Sequence, residues 1–168
     1  ITAASLMLHP KPAGEGTAVM AVTSPEAALQ LLSMAKDQMG EGISAFELMH
    51  RMGLDFLSET MPDVKQPFAE IPKWMVLIDI GLAKGLDPAT ALETLFAEAF
   101  EAGLVQDGVI AQSEAQRAEL WAVRETIPEA NRRIGSISSH DISVPLGAIP
   151  AFIESGTAAL ARLGAFRI

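Results

Sequence analysis

Three helix starts are written into this chain as local capping sequences, with strand-like segments between them, so helices and strands must alternate along most of its length. Ser24-Pro25-Glu26 supplies an N-cap, a proline at the first helical position and an acid near the positive end of the helix dipole. Ala28, Leu31, Leu32, Ala35 and Met39 follow at helical spacing, and Gly40 closes that helix. Asp87-Pro88 opens a second, whose apolar stripe runs through Leu92, Leu95, Phe96, Ala99 and Phe100 to Gly103. Ser113-Glu114-Ala115-Gln116 has the spacing of a capping box, in which serine and glutamine side chains satisfy each other's backbone donors. A long helix is expected from there to about Arg133.

Strand character is expected over Ile1 to Leu8, Thr17 to Thr23, Ile43 to Met49, Gly108 to Gln112 and Ile137 to Val144, with Trp74 to Ile80 the clearest buried strand. A helix passes through Met52, Phe56 and Leu57, and Ile149, Ile153, Gly156, Leu160 and Leu163 mark the last one. At 168 residues the chain fits one well-cored domain. The expected fold class is α+β, ferredoxin-like, with a mainly antiparallel sheet and helices covering one face. Ile1 is not a methionine, and Ala165-Phe166-Arg167-Ile168 reads as a strand being entered; both ends are therefore expected to continue into a larger protein.

Composition narrows the chemistry. There is no cysteine, which removes disulfides, zinc-thiolate sites and thiol nucleophiles and fits a cytoplasmic setting. Twelve lysines and arginines against 21 acids give a net charge of −9, which disfavours nucleic acid and anionic membrane surfaces. No apolar run has the roughly 18–20 residues of a transmembrane span, although peripheral attachment to an inner membrane stays compatible. His9, His50 and His140 are too scattered for a metal motif. Arg117, Arg124, Arg132 and Arg133 share one helix-length segment with Glu119, Glu125 and Glu129, a mixture that usually marks a salt-bridged, solvated helix.

Within that segment Arg124 stands out. At about 100° per residue it lies roughly 40° from Leu120 and about 60° from Ile127, beside the core-facing stripe. A guanidinium there keeps its proton and needs an anionic partner. That partner is either an internal acid such as Asp79 or a ligand; arginines in structural roles outnumber those in sites. Pro128 lacks the N–H that would bond the carbonyl of Arg124 and is expected to bend or end the helix, shaping a pocket beside the cation.

In Ile137-Ser138-Ser139-His140-Asp141-Ile142-Ser143-Val144, alternation places Ser139, Asp141 and Ser143 on one face and His140, Ile142 and Val144 on the other. Asp141 can orient a base and His140 can move protons near neutral pH. Taken singly, a histidine beside Ile142 and Val144 is more often a hydrogen-bonded core residue, and a Ser/Asp face is more often simply wet.

Gln112 to Gln116, Leu120-Trp121-Ala122-Val123-Arg124-Glu125-Thr126-Ile127-Pro128-Glu129-Ala130, and His140-Asp141-Ile142-Ser143-Val144-Pro145 together resemble the C-terminal domain of FAD-linked oxidases. That group includes D-lactate dehydrogenase, the glycolate oxidase flavin subunit and D-2-hydroxyglutarate dehydrogenase, all on the vanillyl-alcohol-oxidase type of scaffold. Ser44 to Met49 is similar to the family as well, and Ile1 to Pro12 resembles the strand leaving the flavin domain. The resemblance implies a cap or substrate domain that works with an FAD-binding domain outside this chain and is inactive alone. Arg124 would then hold the carboxylate of a small 2-hydroxy acid, presenting its C2–H to the flavin, with Ser139, His140 and Asp141 lining the pocket.

Three departures bear on the substrate. Ser139 stands where many relatives have lysine, which points to a monocarboxylate such as lactate or glycolate. Pro128 stands where the 2-hydroxyglutarate branch tends to have threonine. The family's histidine-rich segment, which would carry a divalent metal in the full-length protein, would begin just after Ile168. A homodimer is compatible with this reading. The alternative is a non-catalytic α+β module that binds a small anion or associates through a sheet edge. What Arg124 faces separates the two: an open cleft favours the enzyme, an acid that seals it favours the module.

Overall fold

The computed structural model describes residues 2–8, 10–135, 140–165 and 167. Its elements in chain order are β1 (Gly14–Val22), α1 (Pro25–Met39), β2 (Ile43–His50), α2 (Arg51–Thr60), β3 (Trp74–Leu82), α3 (Pro88–Glu101), β4 (Val105–Ile110), α4 (Glu114–Ile134) and α5 (Ile149–Ala161). The four strands form one sheet in the order β2-β3-β1-β4, every neighbouring pair antiparallel. The class is α+β, as expected.

The helix starts follow the local chemistry. Ser24 accepts from the Ala27 N–H at 3.2 Å, and Asp87 accepts from the Thr90 N–H at 2.9 Å. Ser113 accepts from the Gln116 N–H at 3.2 Å, but Gln116 Oε1 reaches back one residue further than the capping-box pattern, to the Gln112 N–H at 2.7 Å. Gly40 ends α1 with φ of 53°, a backbone region that side chains with a Cβ avoid. Proline 128 does not end α4, which runs on to Ile134.

The layering differs from the expected single covered face. Ala18, Met20, Val76, Ile78 and Ile80 pack against Leu31 of α1 and Leu92 and Leu95 of α3. The alternate residues Val19, Ala21, Met75 and Leu77 pack against Leu54 and Leu57 of α2 and Leu120 and Val123 of α4. Helices therefore lie on both faces. β1 and β3, the inner strands, are buried through most of their length because period-two alternation supplies apolar side chains to both layers. The close approach of α2 to α4 depends on Gly53, where an added Cβ would come within 3.0 Å of the Ile127 side chain.

Three other expectations are corrected. Residues 2–8 carry no strand and expose Leu6, Met7 and Leu8. Residues 140–144 form no strand, because no neighbour supplies a ladder; Ile137, Ser138 and Ser139 of that segment lie outside the described residues. Residues 164, 165 and 167 likewise show no strand, and Phe166 and Ile168 are outside the description. α5 forms where its apolar periodicity placed it, yet none of its residues is fully buried, and Phe152 and Leu160 stay exposed.

The two-layer core yields a direct test. Leu31→Ala and Leu54→Ala, one on each face and each fully buried, should each lower unfolding free energy by about 2–5 kcal/mol in urea denaturation. A sheet with one essential face would show the loss in only one of them.

Candidate functional site

Asp79 sits in the middle of β3, on the face that α2 and α4 cover, and is 3% exposed. A carboxylate so placed is tolerable only with strong donors. Three side chains supply them. Thr17, its register partner on β1, donates to Oδ2 at 2.5 Å, and Trp121 Nε1 donates to the same oxygen at 2.9 Å. Arg117 donates through Nε to Oδ2 and through Nη2 to Oδ1, both at 3.1 Å, the two-pronged geometry that carboxylates accept best. Its remaining nitrogen, Nη1, meets Glu15 at 3.1 Å and Glu114 at 3.7 Å. These carboxylates, Asp79 first, raise the pKa of Arg117 above its ordinary value.

Arg124 lies about two helical turns further along α4 on the same stripe. Its partner is Glu47 of β2 rather than Asp79: Nη2 alone donates to both carboxylate oxygens, at 3.3 and 3.2 Å. The two side chains are 39% and 36% exposed, so this pair stands in contact with water and is worth little to stability. Arg117 is locked and Arg124 is loosely held.

Arg124 and Glu47 line a cleft of about 400 Å³ between β2, α2 and α4, together with Met49, His50, Met52, Phe56, Ile127, Pro128 and Asn131. The apolar members pack against the sheet, while the arginine and glutamate give the cleft one charge of each sign. His50 caps α2, its Nδ1 accepting from the Met52 N–H at 3.4 Å, and its ring centroid lies 4.6 Å from that of Trp74. Burial, and after it the charge of Lys73, hold its pKa below the usual histidine range, which favours the neutral form. Sequence reading gave no role to Glu47 or His50. The one available signal was that both fall within or next to the Ser44 to Met49 segment.

The other expected site residues are not gathered at this cleft. His140 and Asp141 are exposed and are absent from its lining, and Ser139 lies outside the described residues. Arg132 and Arg133 behave as the charge mixture suggested: both pair with Glu129, at 2.6 and 3.0 Å, and lower its pKa.

A second depression, about 230 Å³, is lined by Arg117, Thr17, Glu15, Asp87 and Ser113. Its acids already occupy its cation. The N-termini of α1, α3 and α4 are capped by the side chains of Ser24, Asp87 and Ser113. Among the described residues no group of three or more histidines, aspartates or glutamates is placed to hold a metal ion. Among them, too, no helix is long and apolar enough to cross a membrane.

Residues 11–168 match the family described as FAD linked oxidases, C-terminal domain. The chain is 30% identical over 87% of its length to a mitochondrial D-2-hydroxyglutarate dehydrogenase from Arabidopsis thaliana, covering 26% of that protein. It is 31% identical over 95% of its length to a D-2-hydroxyglutarate dehydrogenase from Xanthomonas citri, covering 33%. A Schizosaccharomyces pombe protein, provisionally named a mitochondrial D-lactate dehydrogenase, is 30% identical over 87% of the chain, which covers 28% of it. The chain thus spans about a quarter to a third of the length of these relatives.

The contrast between the two arginines predicts unequal costs. Asp79→Ala, which removes the two-pronged partner of Arg117 and leaves the Thr17 and Trp121 donors without their acceptor, should lower unfolding free energy by about 1–3 kcal/mol. Glu47→Ala should cost less than about 1 kcal/mol in the same denaturant titration. Equal costs would mean that the Arg124 pair also holds the fold.

Proposed function

The chain belongs to the family of C-terminal domains of FAD-linked oxidases, and on that footing we propose that it is the substrate-side cap of a flavin-dependent dehydrogenase that oxidises a small 2-hydroxy acid to a 2-oxo acid. The observation that carries this reading is the family match over nearly the whole chain, joined to relatives named for 2-hydroxy-acid oxidation. The flavin would supply the redox chemistry. Because the match is to a C-terminal domain and the chain covers only about a quarter to a third of these relatives, we assign flavin binding mainly to the remainder of a longer polypeptide and give this chain the task of holding the substrate.

Arg124 is the residue proposed to do so. Its planar cation offers paired N–H donors to a carboxylate, and among the described residues Nε and Nη1 are not engaged by Glu47. The apolar side chains of Met52, Phe56 and Ile127 would keep water from the substrate's other end. Ser139, His140 and Asp141 enter the proposal through their place in the family-like segment; Arg124 is the residue with geometry behind it. The pairing with Glu47 is what favours the alternative, a non-catalytic module. Against that reading stand the exposure of the pair and its single-nitrogen geometry, which leave the cation unsealed.

Charge supports a monocarboxylate. Among the described residues that line the cleft Arg124 is the one permanent cation, and Glu47 already offsets it, which favours a substrate with a single carboxylate. The names of the relatives lean toward the dicarboxylate, since D-2-hydroxyglutarate dehydrogenases outnumber the one D-lactate dehydrogenase among them, at similar identity.

In the full-length protein, Arg124→Lys should lower kcat/KM for the preferred 2-hydroxy acid by about tenfold or more while flavin content stays unchanged. Undiminished turnover in that variant would remove the proposed role. Steady-state rates of the unaltered protein with D-lactate, glycolate and D-2-hydroxyglutarate should give a monocarboxylate the highest kcat/KM; the dicarboxylate in first place would contradict the substrate assignment.

A further inference from the structure

We propose that Glu47 is a resident counter-ion of Arg124, displaced when a substrate carboxylate binds, and that it thereby sets how tightly the cleft takes its anion. The inference rests on the reading of Arg124 as the substrate's anchor and adds a specificity-determining residue to it.

The argument begins with geometry. A guanidinium bound firmly to a carboxylate shares two nitrogens with two oxygens, as Arg117 does with Asp79 at 3.1 Å on both prongs. Arg124 gives Glu47 only Nη2, with both oxygens crowded on one nitrogen at 3.2 and 3.3 Å. That arrangement forgoes the paired bonds that a free carboxylate can make. A mobile ligand therefore gains by replacing Glu47, and the exchange is cheap because both partners already touch water.

The helix does not have to move for this exchange. α4 is fixed over the sheet by Arg117 and Trp121 on Asp79 and by the buried Leu120 and Val123, all N-terminal to Arg124. Glu47 is held equally well without Arg124, since its backbone is laddered to Leu77 of β3. Both ends of the pair thus have their positions set by other interactions. The pair itself is left to govern charge, and an incoming anion meets a cation whose field is partly cancelled by a carboxylate in the same cleft.

The test uses the full-length flavoprotein and whichever of D-lactate and D-2-hydroxyglutarate it turns over faster. Glu47→Gln keeps the shape and removes the charge. KM should fall about fivefold, kcat should stay within about twofold, and the melting temperature should not change. Glu47→Thr, with a side chain suited to an edge strand, should reproduce the fall in KM and guards against poor folding of the first variant. An unchanged or raised KM, or a lost kcat with a lower melting temperature, overturns the proposal. The Arg124→Lys protein separates the two levels. If it is impaired while Glu47→Gln leaves KM unmoved, only the counter-ion role fails; if Arg124→Lys has no effect, the anchor reading fails and this inference fails with it.

Discussion

A carboxylate buried in the centre of a sheet organises this domain. Asp79 is nearly sealed from solvent, so the fold is compatible with its charge only while Thr17, Trp121 and Arg117 converge on it. Those donors come from β1 and from α4, and meeting them fixes how α4 crosses the strands. Once that crossing is set, Arg124 necessarily arrives over the edge strand β2, where Glu47 and the cleft are. The position of the candidate site is therefore a consequence of a polar bond deeper in the core.

The two arginines show how similar residues acquire different uses. They occupy the same stripe of one helix, yet Arg117 meets an acid in a dry environment and Arg124 meets one at the border with water. The first pair joins α4 to the middle of the sheet. The second is half-exposed on both sides and contributes little to the fold.

What could be read from the sequence follows from how local each feature is. Ser24, Asp87 and Ser113 act within a turn of themselves, and all three helix starts were legible. The inner strands were legible as buried, but whether helices lay on one face or both was not. The segment from Val19 to Val22 is equally apolar on each side, and nothing local says which helix meets which side. The strand expected through His140 and Asp141 failed for a related reason: alternation describes a chain that could pair, and pairing needs a neighbour at a sheet edge. The partner of Arg117 was invisible because Asp79 lies in another element, whereas the same helical stripe made Arg124 an equally good candidate for it. Glu47 resembled any solvent-side residue of a half-buried strand.

The strand order has a bearing on how the molecule comes into being. β1 is made first yet sits between β3 and β4, and its residue Ala18 pairs with Ile110. During synthesis β1 must wait for β4 before its second neighbour exists, and Asp79 must wait for Arg117, which is made after β4. Long-range closure of this kind slows folding, and it leaves apolar strand edges uncovered on the nascent chain in the interval. The topology that delays closure of the sheet is the same one that, once complete, holds α4 and the cleft beside it in place.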